Sequence, residues 1–210
     1  MLFRSVGLGA LEQALANLSG EVEAEIRFQP FELNPKMPPG GQDITEHLTQ
    51  KYGSTPGQQA KFRELLRERG AEVGFDFRLE GRSRIYNTFD AHRLLHWAHE
   101  QGRPDGDDGQ PGQQRLLKKA LFSAYFTEGE SPESHAVLLR AVAQAGLDPV
   151  RAQAILDSDE YADAVREREA FYLEREVHSV PATIVNDQHL IPGGQSVEVF
   201  ERILRKIAAR

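Results

Sequence analysis

The sequence contains no cysteine in 210 residues. Disulfides, thiolate metal sites and a cysteine nucleophile are therefore excluded among these residues. Nor is there any run near the ~18 apolar residues that a membrane-spanning helix requires. Positive charge is in deficit. Lys and Arg number 25 against 32 Asp and Glu, and the net charge of −7 argues against a general binder of nucleic acid or anionic membrane. The apolar stretch after Arg4 is cut at Glu12, with Gln13 and Asn17 behind it, so it does not read as a leader peptide. The expected compartment is the cytoplasm. No internal repeat of about 20–50 residues is visible. What is present suits an ordinary folded chain: 40% apolar and 27% charged residues, long enough for one or two domains.

Periodicity divides the chain into elements. Leu8, Leu11, Leu15 and Leu18 form a helical stripe that Gly20 can end. Val22, Ala24, Ile26 and Phe28 alternate with charged residues, which predicts a half-buried strand. Pro30, Pro35, Pro38 and Pro39 keep the next segment extended or turning. From about Asp43 to His178 the pattern is helical: a short helix capped by Asp43, a second ended by Gly70, a third capped by Asn87, then three more. The last is interrupted near Asp157–Asp159. FDFRLE, from Phe75, reads as a short extended piece, and RPDGDDGQPGQ as a polar loop. Two short strands, PATIVN and HLIP, follow, joined at Asn186-Asp187. A Gly193-Gly194 turn and a final helix capped by Ser196 end the order.

Few residues form a recognisable chemical set. His92, His96 and His99 lie within one helical stripe, a spacing that can bind zinc. Leu94, Leu95 and Trp97 claim the other face for the core, and no partnering carboxylate is evident, so they read as surface or boundary histidines. DGDDG fails the calcium-loop pattern, since Gly109, Gln110 and Leu116 occupy its key places. The stretch EREAFYLERE reads as a charged helix face. No phosphate loop or GxSxG elbow is present. The unusual feature is Pro181, at the threshold of a β-branched run, in a sheet position that proline tolerates only at an edge or a first residue.

Taken together, FELNPKMPPGG, HLTQKYG, NTFDAHRLLHWA, ALFSAYFTEGE, SVPATIVN and the terminal GGQSVEVFERIL resemble the DsbA-like thioredoxin-fold family, in its FrnE-type branch. The resemblance runs from about Val6 to Ile207. It implies an α/β fold: a thioredoxin-like sheet formed by residues 1–41 and 179–210, interrupted by a helical insertion over residues 42–178. In that family the proline opening the late strand is typically cis, and the resemblance places Pro181 there, preceded by Val180. The loop would lie beside the first helix and offer backbone groups to an extended peptide or a thiol substrate.

The family's Cys-Pro-Trp-Cys motif would fall on Met1, Leu2, Phe3 and Arg4, and the strand before it has no counterpart in the sequence. A helix N-terminus lowers a thiol pKa, attack on a disulfide needs the resulting thiolate, and Met1 and Arg4 supply none. The resemblance thus implies a thiol–disulfide oxidoreductase family with this chain redox-inert, or with a start further upstream. It leaves two alternatives: a peptide- or glutathione-binding module, and a glutathione-dependent isomerase of the hydroxychromene-carboxylate type, for which Ser5 lies one place out of register. The expected site is Met1 and Arg4 at the cysteine positions, with Pro181, Val180 and Phe3. Asn87 and His92 match family positions on a helix facing the cleft, His92 for proton transfer. Expected partners are a thiol or disulfide protein, a peptide or glutathione, with no nucleic acid or membrane, no bound cofactor or metal, and a homodimer as the candidate assembly.

Overall fold

The computed structural model describes residues 2–78, 83–105 and 110–209, with side chains from Ser5 onward. Met1, two residues of the FDFRLE stretch and most of DGDDG lie outside the described residues. So do the side chains of Phe3 and Arg4.

Chain order begins with α1 (Leu2–Asn17), β1 (Gln42–Asp43), α2 (Ile44–Tyr52), α3 (Pro56–Glu72) and β2 (Arg84–Ile85). There follow α4 (Phe89–Gln101), α5 (Gln113–Phe122) with a π-turn at Ser123–Thr127, α6 (His135–Gln144), α7 (Pro149–Leu156) and α8 (Ala162–Leu173). The hairpin strands β3 (Ala182–Val185) and β4 (His189–Pro192) and then α9 (Val197–Ala208) complete it. The described residues divide into two compact units. One takes in Met1–Ala24, Lys61–Phe77 and Val177–Arg210; the other takes in Glu25–Ala60 and Arg78–Glu176.

In the first unit, α1 and α9 lie on one face of the β3–β4 hairpin. Ala10, Ala14 and Leu18 of α1 meet Phe200 and Leu204 of α9, with Ile191 of β4 closing the cluster. Full burial of Leu18 and Phe200 removes large apolar surfaces from water, about 1.5–3 kcal/mol each. β3 and β4 pair antiparallel, Ala182 opposite Pro192 and Val185 opposite His189. Asn186 and Asp187 turn the chain with φ of 53° and 54°, a left-handed geometry that short polar side chains tolerate.

The second unit is helical around Leu94, Leu117, Leu138, Ala141, Val142 and Ile155. The stretches between these helices carry definite caps. Asp43 Oδ1 accepts from Thr45 N at 2.9 Å and Glu46 N at 3.0 Å, and Gly53 closes α2 in the left-handed region.

Three expectations change. The alternating segment Val22–Phe28 is not a strand, because no described strand pairs with it. Its backbone is satisfied by side chains instead. Gln114 accepts from Phe28 N and donates to Phe28 O, both at 2.9 Å, and Asp105 Oδ2 accepts from Ile26 N at 3.2 Å. Gly70 does not end α3, which runs on to Glu72. A Cβ at Gly70 would stand 2.4 Å from the Phe77 ring, so close approach, not termination, calls for glycine there. Finally, the N-cap of α4 is Thr88, and Asn87 sits one residue before it.

Candidate functional site

The site grows from a helical glycine. Gly7 lies in the second turn of α1, where glycine costs about 1 kcal/mol relative to alanine. The late loop lies against this point of the helix, at a distance that would still admit a methyl group. A Cβ built on Gly7 would be 3.5 Å from Pro181 Cγ and 3.5 Å from Gly194 Cα. Pro181 is therefore seated directly on α1. On its other side, the Pro181 carbonyl accepts from Gly193 N at 2.9 Å, which extends the hairpin by one rung. Gly193, at φ 73°, makes the turn that brings Gly194 under α1. The Val180–Pro181 bond is cis.

Val180 and Pro181 are half-buried and Gly7 is buried. Proline contributes no N–H, and among the described residues β3 has only β4 as a ladder partner. The groups of β3 directed away from β4 thus form an edge to which an extended segment can add. The three residues in contact, Gly7, Pro181 and Gly194, carry no ionisable side chain. They offer backbone donors and acceptors over a small apolar floor, which can hold a ligand. Ser5, two residues earlier, is only 3% exposed and engaged in interactions, so its hydroxyl is not presented.

The sequence pointed to Pro181 and Val180; the structure brings Pro181 against α1, with Val180 joined to it through the cis bond. Met1 lies outside the described residues, as do the side chains of Phe3 and Arg4. Asn87 and His92 belong to the other compact unit. Asn87 Oδ1 accepts from Phe89 N at 2.7 Å, the task of a capping side chain. His92 is 5% exposed and sits among the buried residues of α4. His96 Nε2 lies 3.1 Å from Glu100 Oε1, and no described cluster of three metal-ligating side chains is present. His99 lines a shallow cleft with Glu25, Asp105 and Gln114, and burial holds its pKa below 6.5, with Arg27 adding to the effect. What periodicity could not reveal was the role of Gly7, Gly193 and Gly194. Glycine inside an otherwise apolar helix was the available signal.

The family model of DSBA-like thioredoxin domains matches residues 6–205 of this chain. Among solved structures, the crystal structure of a probable DsbA oxidoreductase from Streptomyces coelicolor is similar, with 28% identity and a TM-score of 0.86. That match covers 100% of this chain and 86% of the other. A 2-hydroxychromene-2-carboxylate isomerase shares the fold at 14% identity and a TM-score of 0.69, over 99% of this chain and 91% of the other. No curated protein sequence matches. No described helix is long and apolar enough to cross a membrane.

Proposed function

Because the chain belongs to the family of DSBA-like thioredoxin domains, we propose that these residues form the substrate-holding framework of a thiol–disulfide oxidoreductase of the DsbA type, FrnE-like in its helical insertion. The ligand is an extended peptide, or a small thiol such as glutathione. It lies along β3 beside Pro181, taking backbone hydrogen bonds from the open edge. The chain's own residues transfer no electrons, since thiol–disulfide exchange needs a thiolate and the sequence has no cysteine.

The observation that carries this reading is the seat of Pro181 on Gly7 of α1. It joins the late loop and the leading helix into one surface within a single compact unit. The isomerase likeness supports the shared fold alone. A glutathione-dependent isomerase would call for a polar group presented to a thiolate at the start of α1, and the buried Ser5 does not meet that need.

Calorimetric titration tests the reading. A cysteine-containing extended peptide, or reduced glutathione, is expected to bind this chain at one site. The chain is expected not to accelerate insulin reduction by a dithiol. No binding by either ligand overturns the holding role. Accelerated reduction overturns the assignment of the chain as redox-inert.

A further inference from the structure

In the helical unit, the segment after Pro30 is fastened to α8 by a cluster of three charged side chains. Glu32 is buried, its side chain only 2% exposed. One carboxylate oxygen, Oε2, engages Arg166 Nη1, while the other, Oε1, is buried with no hydrogen-bond partner among the described residues. Arg166 also binds Glu169 Oε2 at 2.9 Å, and Glu169 Oε1 accepts from the Glu32 backbone N at 2.7 Å. The Arg166 guanidinium lies 3.9 Å from the centre of the Phe89 ring and is half-exposed. From α4, Asp90 adds a further negative charge facing Glu32.

Two buried carboxylates therefore share one guanidinium, with a third acid nearby. An ionised Glu32 would leave a buried, charged oxygen with no donor among the described residues, which is among the costliest arrangements in a protein interior. A proton on Oε1 removes that cost and keeps the contact of Oε2 with Arg166. We propose that Glu32 is a proton-operated latch: protonated, it holds the chain at Glu32 closed on α8, between the anchors of Gln29 on Arg168 and of Leu33 and Asn34 on Lys51, and ionised, it releases that stretch so that water reaches Oε1.

Burial acts in the same direction, raising the Glu32 pKa above the ordinary 4.5 against the opposing pull of Arg166. The sign follows from linkage. The closed form holds a proton that the open form has already released. Opening is thus favoured as pH rises from 4.5 toward the pKa of the closed form, by up to about tenfold per pH unit, and then levels off.

Two measurements test the latch. Carbon-13 NMR of the side-chain carboxyls in the unaltered chain is expected to show Glu32 titrating above the ordinary glutamate range. Amide exchange, corrected for its intrinsic pH dependence, is expected to show protection of the Glu32 N–H falling over the same interval. In Glu32→Gln, which keeps the shape and cannot ionise, that protection is expected to be independent of pH. Titration of Glu32 at or below the ordinary range overturns the proposal. So does a fall in protection that persists in Glu32→Gln.

Discussion

At the scale of single residues, the charges that matter are those placed among carbonyls and aromatic rings. Arg93 is 4% exposed. Its Nη1 meets Asp90 Oδ1 at 2.8 Å, its Nε donates to Glu160 O at 2.9 Å, and its Nη2 reaches the carbonyls of Ile155 and Ser158. The guanidinium thereby closes the C-terminal end of α7 and holds the turn that carries Tyr161 at φ 63°, a conformation unfavourable for an aromatic residue. Arg93→Leu strands those carbonyls, and an unfolding titration is expected to show a loss of about 3 kcal/mol or more. The histidines set a pH slope. Burial lowers the pKa of His47 and His99 below 6.5. The unfolded chain then takes up protons that the folded one refuses, so stability falls as pH drops through 6.5 toward the folded values. His99→Gln is expected to flatten part of that slope in urea midpoints measured against pH. Little of this was legible beforehand. The spacing of His92, His96 and His99 on one helix is visible in the sequence, but it says nothing of Arg27, which reaches His99 from a distant segment.

At the scale of elements, two glycines of one helix have opposite roles. A Cβ at Gly9 would sit 2.9 Å from both Cβ and Cγ2 of Val73, closer than packed atoms allow. At Gly7 the nearest atoms are 3.5 Å away, an ordinary contact. Gly7→Ala is expected to leave stability unchanged or raise it by about 1 kcal/mol through helix propensity. In Gly9→Ala, overpacking of about 1–3 kcal/mol outweighs the same gain, and a net loss of up to about 2 kcal/mol is expected in thermal or urea unfolding. The Val22–Phe28 segment is held by Gln114, 86 residues from Phe28. Gln114→Leu removes both bonds to Phe28 and one to Leu95 O, and is expected to raise amide exchange at Phe28. Alternation read this segment as a half-buried strand; Val22, Ile26 and Phe28 are half-buried, but no strand forms. It could not show that a carboxamide stands where a neighbouring strand would. The β3–β4 hairpin was legible in full, because a β-branched run, a polar turn and a second short run are all local. Gly70 misled for the same reason: a glycine read locally is a stop, whereas here it makes room for Phe77.

At the scale of the whole molecule, the order helix, strand, helical block, two strands, helix was read from the sequence, and all but the first strand is present; the resemblance carried by the sequence led to the DSBA-like thioredoxin family that the chain belongs to. Of the expected site residues, Pro181 lies against Gly7 of α1, a neighbour that leaves no periodic trace in the sequence. Asn87 bonds Phe89 N, and His92 is buried in α4. The functional claim rests on one surface, where α1, the Pro181 loop and the edge of β3 meet, in a sequence that has no thiol. Nitrogen-15 NMR of the chain titrated with an extended cysteine-containing peptide tests it most directly. The account predicts that the largest shifts fall on Gly7, Val180, Ala182 and Gly194 together. Shifts that leave those amides unmoved and cluster on the helical unit would contradict it.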